Sequence, residues 1–438
     1  MSVVNRVMGL GLRAINRVAG SPLLDRLHLR KPAQQALYQG ARIGFRSAAA
    51  AARGFKATQK LAQPARPARV AGDGLFDLSP SEEQQMLQDA ARRFALDELR
   101  PAAAAADAAG AADTGLLRGA ADLGLGVMNI PEALGGAGSE RSAVTNVLVA
   151  EALAHGDMGL ALACLAPAAV SNALVLWGDE AQQALYLPAF VAEHAPQAAL
   201  AIHEPQVLFD PFALQTTARR VEGGYCLSGV KSLVPRAAAA ELFIVAAQVE
   251  SGEPALFIVE SSSAGLGIEA EPAMGLRAAE TARLHLKDVK LPASARLAVA
   301  DASAYRDCIA LSRIAWSALA VGTAQAALDY LVPYVNERIA FGEPISHRQA
   351  VAFAVADISI ELEGMRLTTY RAASRAERGA SFAREAALAR RLVADKGVRI
   401  GSEAVQLLGG HGFVKEHPVE RWYRDLRAAG IVEGVVLV

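Results

Sequence analysis

The sequence predicts an α+β fold that is mainly helical, with an N-terminal all-α domain, a middle antiparallel β domain and a C-terminal four-helix bundle. Three observations carry this reading. Apolar residues recur at helical spacing up to about Glu193, short β-rich runs punctuated by Gly, Pro and Ser follow from about Ala199, and the helical period returns after Asp301. The boundaries read as 1–74 for a basic extension and linker, then 75–198, 199–300 and 301–438. At roughly 150 residues per domain the length agrees with two or three globular units.

In the extension, residues 1–74 hold 13 Lys and Arg against two acids, Asp25 and Asp73, whereas the whole chain has 44 basic and 45 acidic side chains. Arg6, Arg13 and Arg17 sit among Val, Met, Leu and Ile. That pattern suits a helix lying on an anionic membrane surface. It also suits an Arg-rich transit peptide or an arm packed on the parent protein, and all three readings stay open. Pro64 to Arg69 reads as a linker.

The globular part opens at Ser79-Pro80-Ser81-Glu82-Glu83, which offers a cap hydroxyl, a first-turn proline and early acids. Met86, Leu87, Ala90, Phe94 and Leu99 follow at helical spacing. Ile130-Pro131-Glu132 and Gly135-Gly136-Ala137-Gly138 break the helical pattern, and the Ala/Leu stretch over 143–176 can be buried on most sides. Residues 242–249, 255–259 and 283–291 read as strands, and 305–339, 348–378 and 383–408 as three long helices.

Several function classes drop out. The near-neutral charge lacks the basic footprint of a nucleic-acid binder. Cys164, Cys226 and Cys308 lie far apart, at neither metal nor redox spacing, so no metal is expected and a reducing cytoplasm is. The extension adds the expectation of peripheral contact at the inner face of the membrane. No run of about 18 apolar residues is apparent, which argues against a transmembrane helix. There is no GxGxxG after a strand and no GxSxG, so Rossmann and α/β-hydrolase enzymes have little support.

The informative motifs lie late in the chain. They are Arg338-Ile-Ala-Phe341-Gly342-Glu-Pro344-Ile345, then Gln349, Gln406-Leu-Leu-Gly409-Gly410-His-Gly412-Phe413, Arg424-Asp425 and Glu433-Gly434. Together with Gly124-Leu125 and Ile130-Pro131-Glu132, this succession resembles the acyl-CoA dehydrogenase family from about Leu78 onward. The resemblance implies a homodimer or homotetramer with FAD bound between subunits, an acyl-CoA substrate, and an electron-transfer flavoprotein as acceptor. It also implies removal of one hydrogen from each of the α and β carbons of the thioester to give the 2-enoyl-CoA.

Residue chemistry supports the carry-over. Arg338 presents a planar fork suited to the pyrophosphate of FAD, where a bland reading makes it a solvated surface arginine. Gly409 and Gly410 let backbone approach a ligand, and Gln349 and Gln406 can donate amide hydrogens, with Phe341 beside them. The resemblance places Leu233, Val234 and His203 near the flavin and makes Glu433 the α-proton base. Ile431, Val432, Val435 and Val436 flank Glu433, which predicts an apolar setting that favours the neutral carboxyl. Some relatives carry the base instead at the position of Ser312. Serine cannot replace a carboxylate, so Glu433 has no rival, Arg313 is left as a substrate-side or a structural arginine, and Gly434 as a substrate-side residue.

The pattern also departs from the family. Leu208-Phe209 replaces Gly-Ser, Pro235 stands where a flavin-facing threonine is usual, Val435 replaces another threonine, and Val438 ends the chain where relatives continue. Proline has neither hydroxyl nor N–H to offer. Two alternatives follow from these departures, a flavoprotein of this fold with other chemistry, or a non-catalytic paralogue that binds acyl-CoA or a partner.

Overall fold

The computed structural model describes residues 79–136, 141–192, 194–250, 252, 254–297 and 302–438. The chain divides into two units, Met1–Leu75 and Phe76–Val438, and only the second is described below. The expected membrane contact of the basic extension lies outside the described residues.

Helix α1 (Glu82–Phe94) continues through a π-helical turn into α2 (Arg100–Ala109). Its cap is Ser81, whose hydroxyl accepts from Gln84 N–H while the Gln84 side chain accepts from Ser81 N–H. This reciprocal box moves the start two residues beyond Ser79 and leaves Pro80 outside the first turn. After α3 (Thr114–Asp122), α4 (Ala143–Gly156) and α5 (Met158–Trp177) run through the core, and α6 (Glu180–Val191) closes the first helical region. By length and composition α5 is apolar enough to cross a membrane, contrary to the sequence reading, yet most of it is buried inside the protein. Asn172, Ser171 and Pro167 interrupt its apolar run, which is why the run escapes a scan for unbroken hydrophobicity.

Seven strands form the middle sheet, β1 (Ala198–Ala201), β2 (Thr217–Val221), β3 (Gly224–Val234), β4 (Leu242–Val249), β5 (Pro254–Glu260), β6 (Leu266–Ala270) and β7 (Ala282–Pro292). The order is β1-β4-β2-β3-β7-β6, with β5 paired to β4. Most pairings are antiparallel as expected, but β4 runs parallel to both β1 and β2, so the sheet is mixed. Sequence periodicity fixes strands and not their neighbours, hence the difference.

The last part holds α7 (Ala302–Glu337), α8 (Gln349–Glu377), α9 (Ala383–Leu407) and the short α10 (Val419–Leu426). Helix α7 is central and packs on α8, α9 and also α4. At Gly322 a β-carbon would fall 2.1 Å from the Glu151 carbonyl, so only glycine allows α7 and α4 to approach so closely. Buried polar pairs tie α10 to the rest. Arg421 Nε donates to Asp157 at 2.9 Å, Arg424 pairs with Asp107 at 2.8 Å, and Asp425 accepts Leu276 N–H at 2.6 Å. Burial, followed by the nearby Asp157, pushes the Asp425 carboxyl above the usual carboxylate range.

Candidate active site

Residues 431–438 follow α10 and its 3-10 turn (Arg427–Gly430) as an irregular tail that runs into the core. Glycine 434 and Val435 are both left-handed, at φ 77° and 66°. For a β-branched valine that conformation is an outlier and persists only where its surroundings fix it. The fixing groups come from one face of α7, where Ser312 Oγ and Trp316 Nε1 both donate to the Gly434 carbonyl, at 3.0 and 2.8 Å. Ile202 closes the other side, since a β-carbon at position 434 would lie 2.5 Å from it.

The tail carries Glu433 into a buried position. Its chain neighbours Val432, Val435 and Val436 are buried as expected, but the carboxylate itself does not meet an apolar wall. Arg313 grips it, with Nε at 3.1 and 3.0 Å from the two oxygens and Nη2 at 2.8 Å from Oε1. Arg390 of α9 adds a second guanidinium, with Nη2 3.7 Å from Oε1. Both arginines arrive from helices distant in sequence, so the local run of valines gave no hint of them.

On the sheet side, His203 is buried and its Nδ1 has no partner among the described residues. The Phe209 ring lies edge-on at 4.8 Å, and burial brings the imidazole down to about 4, so it is neutral near pH 7. The next residue, Glu204, forms a fully buried pair with Lys231 at 2.8 Å and also accepts the Gln215 and Thr216 amides. This network fixes the loop between β1 and β2.

Strand β3 has an irregularity between Lys231 and Val234, where Leu233 is left-handed at φ 54°. Its amide leaves the ladder there and donates to Glu271 at 2.8 Å, beside the Ser232 hydroxyl on the same oxygen. Val234 is buried in the sheet core.

A second cluster forms elsewhere. Arg338, Gln406, Gly409 and Gly410 line one cleft of about 460 Å³, together with Tyr334 and Glu403. The side chains of Arg338 and Gln406 make no hydrogen bond among the described residues, and β-carbons at Gly409 or Gly410 would meet open space. Phe341 is 95% exposed at φ 56°, and Gln349 is exposed at the start of α8, next to cleft-lining Ala350. Arg313 on α7 and Arg338 just past its end are 25 residues and so about 38 Å apart at 1.5 Å per residue. The predicted residues thus fall into two groups, one around Glu433 and one around Arg338.

The chain matches three consecutive family domains, described as the acyl-CoA dehydrogenase N-terminal domain over residues 81–194, the middle domain over 199–289 and the C-terminal domain over 303–436. It belongs to the acyl-CoA dehydrogenase family. A rat relative, short/branched chain specific acyl-CoA dehydrogenase, is 32% identical over 81% of this chain and 83% of its own. Butyryl-CoA dehydrogenase of Megasphaera elsdenii superposes with a TM-score of 0.76 at 30% identity, covering 82% of this chain and 96% of that one. The FAD complex of PigA gives 0.75 at 28%, with the same coverage.

Several site residues escape sequence reasoning. Glu271 and Trp316 carry no local signal, because their roles arise from β-sheet register and helix packing. Arg390 does leave one, since it interrupts the stripe Ala386, Ala389, Val393 and Gly397 that α9 buries. A charged residue in a buried stripe marks a specific partner.

Proposed function

We propose that this acyl-CoA dehydrogenase family member is an FAD-dependent enzyme that removes the α and β hydrogens of a fatty acyl-CoA thioester to leave the 2-enoyl-CoA, with Glu433 as the base for the α proton. The observation that carries it is the buried Glu433 carboxylate, held by Arg313 in a tail whose backbone Ser312 and Trp316 fix. A base for a weak carbon acid has to be placed before the substrate arrives.

The residues present fit FAD. Unpartnered Arg338 and Gln406, with the open backbone of Gly409 and Gly410, would hold its phosphates, and Phe341 and Gln349 would flank them. His203 and Leu233 would meet the ring system, whereas Val234, expected beside the flavin, is packed inside the sheet, and the orphaned His203 Nδ1 is a polar atom awaiting a partner. When bound, FAD supplies the acceptor for the β hydrogen as hydride. Glu433 takes the α proton, Gly434 lines the thioester side, and Arg313 keeps the carboxylate in register.

Because the two groups of residues lie farther apart along α7 than one FAD extends, the cleft of one subunit would serve the cofactor of another in a homodimer or homotetramer. An electron-transfer flavoprotein is the proposed acceptor. Domain limits of 75–198, 199–300 and 301–438 follow the changes of element type. A cytoplasmic setting agrees with three free, buried cysteines, and the basic extension would touch the inner membrane face.

A second reading keeps the flavin and changes the substrate. It is favoured by the Leu233 amide being taken by Glu271 and by neutral His203 at the site. PigA, solved with FAD and proline, shares this fold.

Anaerobic titration of the purified yellow protein with butyryl-, octanoyl- and palmitoyl-CoA separates the readings. Bleaching by one class, lost in Glu433→Gln, is the expected result. A yellow protein that no thioester bleaches rules out the first reading and favours the second.

A further inference from the structure

We infer that Arg390 of α9 is a positioning residue for Glu433, fastening the backbone that leads into the carboxylate so that the base stands at a fixed point. The inference rests on Glu433 being the base.

Arg390 is buried, with Ala386, Ala389, Val393 and Gly397 around it on the inner face of α9. Its Nη1 donates to the Ala429 carbonyl and its Nη2 to the Val432 carbonyl, the latter at 2.7 Å. These carbonyls belong to the end of the 3-10 turn and to the residue just before Glu433, and helix-end carbonyls lack partners of their own. One planar guanidinium spans both, which a single ammonium cannot do with the same geometry.

The same Nη2 lies 3.7 Å from Glu433 Oε1, so it adds charge beside the carboxylate without displacing Arg313. Burial lowers the guanidinium to about 10, a cost that an apolar residue at this point of the helix would not carry. The backbone around Glu433 is thereby held from α7 and α9, while Asn172 of α5 holds the Leu437 carbonyl farther along the tail. From α7, Ser312 and Trp316 grip it after Glu433, and from α9, Arg390 grips it before. Without Arg390 the Ala429 and Val432 carbonyls would lose their hydrogen bonds to α9, and a shift of about 1 Å in a reacting group costs on the order of 100-fold in rate.

The test compares wild type, Arg390→Lys, Arg390→Met and Glu433→Gln as FAD-loaded full-length proteins. Steady-state kinetics with butyryl-, octanoyl- and palmitoyl-CoA are taken from pH 5 to 9, and amide hydrogen exchange is followed by mass spectrometry over 427–438 and over α9. In Arg390→Met, kcat should fall about 10- to 100-fold while KM moves less than about threefold. The acidic limb of its kcat profile should move to higher pH, because one of two cations beside the carboxylate is gone. Arg390→Lys should restore the limb and only part of kcat.

Exchange should rise in 427–438 and stay unchanged along α9. Unchanged exchange in Arg390→Met overturns the inference, whatever the activity. So does a kcat loss with no shift of the acidic limb, which marks a purely structural strap. Full activity in Glu433→Gln removes the base reading instead, and the exchange result then judges the strap alone.

Discussion

The two candidate regions of this protein are built in opposite ways. Around Glu433 the carboxylate and the backbone carbonyls beside it are partnered from the same chain, and the stretch that carries the carboxylate is gripped from α7 and α9. Around Arg338 the donors are free, the glycines open onto space, and Phe341 and Phe413 stand 95% and 91% exposed. A closed site holds a reactive group in place, whereas an open one with unpaired donors awaits something from outside. The contrast is the one the proposed function asks for, a base held in place on one side and a cleft left open on the other.

The largest expected effect breaks the closed half. Glu433→Gln keeps the shape and removes the base, so turnover of the best acyl-CoA should fall about 100- to 10,000-fold with FAD content unchanged. A variant within threefold of wild type would place the base elsewhere. In the open half, Arg338→Gln should leave the fold intact, since the side chain is exposed, yet weaken FAD about 10- to 100-fold through lost charge-assisted bonds. Flavin fluorescence on dilution reads this directly, and equal retention would remove Arg338 from the cofactor site.

His203 sharpens the comparison through pH. Burial holds its folded value at about 4, below the ordinary 6.5, so the folded protein binds fewer protons than the unfolded chain between those values. Its contribution to stability is therefore full above about pH 6.5 and is lost as pH falls towards 4. The size is on the order of 3 kcal/mol. Urea midpoints at pH 7 and pH 4.5 should converge in His203→Gln relative to wild type. An unchanged pH slope would mean that the imidazole charges freely in the folded state.

The fold was largely legible because it is written in periodicity. The three long C-terminal helices end within three residues of where their apolar spacing places them, at Glu337, Glu377 and Leu407. What periodicity cannot encode is which elements become neighbours. The parallel pairing of β4 with β1 and β2, the capture of the Leu233 amide by Glu271, and the meeting of Arg313 with Arg390 over Glu433 are all long-range contacts. The motif residues of the cleft were readable because glycines and an arginine have few roles in that order. The electrostatics of Glu433 were not, since its valine neighbours in the chain are not its neighbours in space.

The smallest effect tests how the tail is fixed. Ser312→Ala removes one of two bonds to the Gly434 carbonyl and leaves Trp316 Nε1 at 2.8 Å, so the acceptor keeps a partner. The cost should be about 1 kcal/mol, as for one ordinary hydrogen bond. Trp316→Phe alone should cost more, because it also disturbs the packing of a fully buried ring. In the double variant the carbonyl is left buried and unpaired, so the loss should exceed the sum of the singles by about 1 kcal/mol. Additive losses would show that water replaces the two donors, and that the left-handed turn at Gly434 and Val435 is held by packing against Ile202 rather than by hydrogen bonds.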